Sequence, residues 1–180
     1  MDSDAVLVMD IKAGNKTALQ QLVEKHKKNA FRMALGLVGN KDDAYDISQE
    51  AFLRVYRSAD TFDERQPFLP WFYTIVANLS RTWLRRRVTR DHRMVDIDTA
   101  DYLVASDSDP EASYERKEML QLLSKSLMEL PFADREIIVL QHFRGMSYDE
   151  IALILNIPKG TVMSRLYYAR KKLATLMGAQ

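Results

Sequence analysis

The sequence predicts an all-α protein: two small helical domains joined by a flexible acidic linker, the second ending in a helix-turn-helix. Three observations predict it. Breakers are scarce, with 6 glycines and 5 prolines in 180 residues, too few for the many turns of an all-β sandwich or a low-complexity chain. Apolar residues recur at spacings of three and four through most of the chain, the period of helices with one buried face. Between residues 94 and 111 the texture changes to Asp, Ser, Thr and Ala without an apolar period, which reads as a mobile linker. The domains are therefore placed at 1–93 and 112–180, with 94–111 between them.

In the first domain Leu19, Leu22, Val23, Ala30, Met33, Ala34 and Leu37 share a helical face, and Gly39-Asn40 stops that helix. Asp42 and Asp43 open the next helix, where acids suit the dipole. Ala44, Ile47, Ala51 and Val55 form its inward stripe, widened by Phe52 and Tyr56. Thr61 to Pro70 reads as a loop, with Pro70 a first-turn residue of the helix that follows. That helix begins aromatic at Trp71, Phe72 and Tyr73, continues through Ile75, Val76 and Leu79, and ends basic at Arg85 to Arg87.

The second domain reads as four helices. The first runs from about Ala112 to Leu130 and is closed by Pro131; the second covers Ala133 to Phe143, with Gly145 breaking the chain after it. A short third helix covers Tyr148 to Leu155, Asn156-Ile157-Pro158 makes a turn, and the last helix spans Gly160 to Met177. Ser147 caps the third helix, and Glu150 completes a capping box. Ile151, Ala152 and Leu155 face inward, and Val162, Leu166, Ala169 and Leu173 of the last helix pack back on them. Left outward are Lys159, Thr161, Met163, Ser164, Arg165, Tyr167, Tyr168, Arg170 and Lys171. That set can donate to phosphates and reach base edges in a major groove. Many helical hairpins share the pattern without touching DNA.

Composition excludes several classes. Without cysteine there are no disulfides, thiolate zinc sites or cysteine nucleophiles. His26, His92 and His142 are spaced too far apart to suggest a metal site, and each reads as a surface or partly buried imidazole. No phosphate loop, metal cluster or nucleophile constellation is present in the sequence, so it calls for no cofactor and gives no support to an enzyme. The acidic start Met1-Asp2-Ser3-Asp4 is unlike a secretory signal. No apolar run approaches the roughly 18–20 residues of a membrane span. A cytoplasmic protein is expected.

The net charge of +1 conceals segregation. From Arg81 to Arg93 six arginines face one aspartate, a local +5. From Asp96 to Glu118 eight acids face two bases, a local −6. From Lys159 to Lys172 there are five bases and no acid. One basic block also fits a solvated helix face; two, separated by an acidic tether, point to nucleic acid.

Leu130-Pro131, Arg135, Gly145-Met146-Ser147-Tyr148-Asp149-Glu150-Ile151-Ala152, Ile157-Pro158-Lys159-Gly160-Thr161-Val162, Ser164-Arg165 and Ala169-Arg170 closely resemble the promoter-binding C-terminal domain of bacterial sigma factors. Asp46-Ile47-Ser48-Gln49-Glu50-Ala51-Phe52, Trp71-Phe72-Tyr73-Thr74-Ile75-Val76-Ala77-Asn78 and Leu84-Arg85-Arg86-Arg87 resemble the other conserved sigma domain. Two such domains joined by a short linker resemble the extracytoplasmic-function group. The resemblance implies a subunit that binds core RNA polymerase, reads two promoter elements about two helical turns apart and melts the nearer one.

By that resemblance Asp46, Gln49, Glu50 and Phe52 dock on a coiled coil of the polymerase's largest subunit, and the second domain meets the flap near the upstream element. Phe68, Trp71, Tyr73, Asn78, Arg81 and Arg85 are the candidates for the −10 element. Strand opening needs a pocket or an aromatic platform for an unstacked base. Lys159, Gly160, Thr161, Met163, Ser164, Arg165, Tyr167, Tyr168 and Arg170 are the candidates for the −35 element. Met163 and Tyr168 depart from basic residues common in the group, so the docking mode carries over while base specificity at those two positions does not. The resemblance further implies an anti-sigma factor, often membrane-anchored, around which the two domains close. The competing reading is a conventional helix-turn-helix regulator acting without core polymerase, which leaves the motifs of the first domain idle.

Overall fold

The computed structural model describes residues 2–88, 114–143 and 145–178, and all regular structure among them is helical. The predicted linker and His92 lie outside the described residues. In the first domain α1 spans Ser3–Lys12, α2 Lys16–Val38, α3 Lys41–Ser58 and α4 Phe68–Val88, with a 3₁₀ turn Ala59–Thr61 after α3. In the second domain α5 spans Tyr114–Glu129, α6 Phe132–Ile138, α7 Tyr148–Leu155 and α8 Lys159–Leu176. The helix expected over 133–143 is divided: α6 gives way to a π-helical stretch at Val139–Phe143.

Short polar side chains start most of these helices. Asn15 accepts from the Thr17 amide at 3.0 Å, and Asn40 from the Asp43 amide at 3.0 Å, each satisfying an amide that helix geometry leaves open. Asp2 serves two helices. It accepts from the Asp4 amide at 3.1 Å to cap α1, and from the Phe68 amide at 3.0 Å where α4 begins. A carboxylate at two helix N-termini suits both dipoles.

The stripe beginning at Leu19 does not announce α1, yet α1 decides the fate of His26. Ala5, Val8 and Ile11 seat α1 in the core. That seat brings Asp4 to 2.9 Å from His26 Nε2 and 2.5 Å from Lys25 Nζ. His26 is therefore buried, beside the rings of Phe68 and Phe72, and not at the surface.

Met33 through Gly39 are buried without interruption. A helix with one covered face exposes a residue within each turn; burial all round requires cover on both sides. Here α3 and α4 cover one side of α2, and α5, α6 and the π-helical stretch cover the other. The two domains thus share one core. Arg135 pins them together, donating from Nη1 to the Leu37 carbonyl at 2.8 Å and from Nη2 to the Leu130 carbonyl at 3.3 Å. Burial lowers its pKa to about 10, which leaves it charged at neutral pH.

Gly39 closes α2 with a left-handed φ of 69°, its amide bonded to the Leu35 carbonyl. A Cβ there would also approach Met128 Cγ of the second domain to 2.8 Å. Gly39→Ala is expected to lower stability by about 1–2 kcal/mol, mostly from the left-handed backbone. An unchanged denaturant midpoint would contradict this account of the α2 terminus.

Candidate nucleic-acid interface and docking face

The helix-turn-helix is built from its caps inward. Ser147 Oγ accepts from the Glu150 amide at 3.3 Å, and Glu150 Oε2 accepts from the Ser147 amide at 2.9 Å. Asn156 ends α7 with φ 51°, a left-handed residue that turns the chain toward Pro158. Ile151 and Ile154 of α7 are buried against Val162, Leu166 and Ala169 of α8. Ala152 and Leu155, expected inward, are half-buried.

That packing leaves the other face of α8 open. Lys159, Gly160, Ser164, Arg165 and Arg170 are exposed and Thr161 is half-buried. Met163, Tyr167 and Tyr168 stand out at 54%, 63% and 60% exposure. Among the described residues no element covers these three side chains, on a helix otherwise rich in bases. The two tyrosines meet edge to face at 5.3 Å. Neighbouring groups steady several cations: Lys159 meets Asp149 at 2.8 Å, Arg170 donates to Gln141 at 2.9 Å, and Lys172 meets Asp134 at 2.6 Å.

The α4 candidates divide. Phe68 and Tyr73 have no exposed surface. Phe68 stacks on Phe72 at 5.3 Å, while the bond from its amide to Asp2 draws the start of α4 beneath α1. Neither ring offers a face to a base in this arrangement. Trp71 is half-buried against Phe62 at 4.9 Å. Asn78, Arg81 and Arg85 are exposed, and Arg81 Nη1 donates to Asn78 Oδ1 at 2.8 Å.

On α3, Asp46 and Gln49 are exposed and Glu50 is half-buried. Glu50 already meets Arg54 at 3.3 Å and Arg57 at 3.7 Å. Phe52 turns inward onto Phe72 at 5.0 Å, so it anchors α3 and does not stand on its docking face. A groove of about 650 Å³ between α3 and α4 brings Asp46, Gln49 and Glu50 together with Asn78, Trp83 and Arg86. The docking candidates and part of the −10 set therefore line one depression. A second groove of about 610 Å³, mostly apolar, lies between α2 and α3 beside Val23, Phe31, Tyr45 and Leu53.

One residue near these surfaces had no signal in the sequence. Glu136 of α6 receives Arg81 Nη2 on both oxygens, at 2.8 and 3.0 Å. Burial raises its pKa, opposed by the charge and hydrogen bond of Arg81 and by the charge of Arg165. A pairing across 55 residues leaves no local pattern to read. Among the described residues no group of His, Asp or Glu could hold a metal ion, and no helix is long and apolar enough to cross a membrane.

Family models for sigma-70 region 2 and sigma-70 region 4 match residues 22–90 and 120–173. The chain is 30% identical over 174 residues to the ECF RNA polymerase sigma factor SigW of Bacillus subtilis, covering 92% of each chain. Its fold is similar to that of CnrH solved in complex with the cytosolic domain of CnrY, at 27% identity and TM-score 0.70 over 99% of both chains. It is also similar to the sigma factor RpoE in complex with the anti-sigma factor NepR from Bartonella quintana. There the identity is 26% and the TM-score 0.66, over 89% of this chain and 97% of that one.

Proposed function

The chain belongs to the extracytoplasmic-function sigma factors, and from that premise we propose how its parts share the work of promoter-specific initiation. The exposed face of α3, with Asp46, Gln49 and Glu50, docks on the coiled coil of the polymerase's largest subunit, and the second domain meets the flap. The outward face of α8 reads the −35 element. Asn78, Arg81 and Arg85 of α4, with Trp71 beside them, engage the −10 element. Each DNA contact alone is modest and salt-sensitive; joining both through the polymerase raises their effective concentration.

The observation that carries this reading is the open face of α8, bases and large apolar side chains together, opposite an inner face buried at Val162, Leu166 and Ala169. An anti-sigma factor regulates the chain, as the complexes of CnrH and RpoE with their partners support. That inhibitor is anchored in the membrane, and the sigma factor works in the cytoplasm.

The test is run-off transcription with purified chain, bacterial core polymerase and a library of host promoters, against core alone. Initiation at a discrete subset of templates is expected. Absence of both core binding and initiation would hand the function to a conventional helix-turn-helix regulator. Within this assay Arg165→Ala is expected to weaken use of the −35 element about 10–100-fold while core binding stays intact. Equal promoter use by the variant would remove Arg165 from the interface.

A further inference from the structure

Three large apolar side chains stand in solvent on the outer face of α8: Met163, Tyr167 and Tyr168. They sit among cations. Lys159, Arg165, Arg170, Lys171 and Lys172 lie on the same helix, which carries no acid. Cations on such a helix hold phosphates and fix its position on a duplex. Apolar side chains gain nothing from a phosphate or from water, so three of them together mark a contact of another kind.

Their placement narrows that contact. Met163 and Tyr167 are four apart and share one strip of the helix. With Arg170 and Lys171 they line a groove of about 590 Å³, to which Leu166 and Tyr148 of α7 also contribute. The Tyr167 ring meets the Tyr168 ring edge to face. Met163 lies near the start of α8, which begins at Lys159. That end of a recognition helix is the part that reaches base edges in the major groove.

The base edges then choose the ligand. Guanine offers two acceptors, adenine an acceptor and a donor, and cytosine a donor; only thymine adds an apolar group, its 5-methyl. Methionine carries no donor and only a weak acceptor. Set against guanine, it would strip water from two acceptors and return no hydrogen bond. An adenine or cytosine amino group would lose its water for a weak sulfur acceptor. Set against thymine, the same side chain buries a methyl group.

We propose that Met163 and Tyr167 select a thymine in the −35 element by enclosing its 5-methyl group, so that one position of the element is read by apolar contact. The proposal rests on the proposed function, which puts the outer face of α8 on that element.

The experiment uses the full chain bound to core polymerase. Duplexes randomised across the −35 element are selected by binding. Each thymine of the selected motif is then replaced singly by deoxyuridine, which removes the methyl and keeps every hydrogen-bonding group. Replacement at one position is expected to weaken binding about fourfold, the worth of one buried methyl group. Met163→Ala, at an exposed position, keeps the fold and is expected to bind the thymine and deoxyuridine duplexes equally. Met163→Arg is expected to move the preference at that position to guanine, which an arginine takes through two hydrogen bonds. Arg165→Ala is expected to weaken both duplexes alike and keep their ratio, which separates methyl recognition from general loss of affinity. A selected motif without a preferred thymine, or an unchanged ratio in Met163→Ala, would overturn the proposal. Indifference to deoxyuridine at every thymine would also overturn it and assign the apolar patch to a protein partner. Failure of the unaltered chain to bind core would instead remove the sigma reading, and the same selection made with the chain alone would still decide whether Met163 reads a methyl group.

Discussion

Phe72→Ala is expected to lower the stability of the protein by about 3–5 kcal/mol. The ring has no exposed surface and meets Phe52 of α3 at 5.0 Å, Phe68 at 5.3 Å and Tyr73 at 5.7 Å. It also lies 6.2 Å from His26 of α2. One side chain thus ties α4 to α2 and α3. Truncation removes the ring's transfer energy and leaves a cavity that three rigid helices cannot readily close. Thermal melting followed by circular dichroism is expected to show a fall of about 6–20 °C. Promoter use is expected to fall with it, because α4 carries Asn78 and Arg81. A loss below about 1 kcal/mol would mean that this aromatic cluster does not hold the domain together.

The second large effect is on polymerase binding. Asp46→Arg combined with Glu50→Arg is expected to weaken binding to core at least about 100-fold, since reversing two charges sets like against like at an interface. The two positions are four apart and so share a helix face. Glu50 now balances Arg54 and Arg57, and its reversal adds a third cation to that pair at a cost of tenths of a kcal/mol to the helix. Unchanged helicity and unchanged DNA contacts through α8 are the controls; titration of labelled core measures the loss. Full affinity in the double variant would move the docking face to the other flank of α3, where Tyr45 and Leu53 line the apolar groove.

Much of the second domain was legible in its sequence. The boundaries of α7, its capping box and the turn at Asn156 follow from neighbours within a few residues, and the structure keeps them. The outward set on α8 was legible for the same reason: periodicity assigns one face to the interior and leaves the other. The first domain was legible as helices but less so as a site. Phe68, Tyr73 and Phe52 carry the residue types of a docking or stacking surface, yet they lie in the core. Aromatic rings serve both purposes, and only the position of α1 over α2 and the bond from Asp2 to the start of α4 chose between them.

The sequence by itself determined most of the helices, the capping box of α7, the segregation of charge and the open face of α8, because each depends on local spacing and backbone chemistry. Only the tertiary structure decided that the two domains meet, that Arg135 reaches the Leu37 carbonyl, and that Glu136 of the second domain pairs with Arg81 of the first. The apolar run Met33 to Val38 carried a hint, since a helix end apolar on all sides must be covered by something. Periodicity says which face seeks cover. It does not say which distant segment provides it, because that contact is set by three-dimensional fit between residues far apart in the chain.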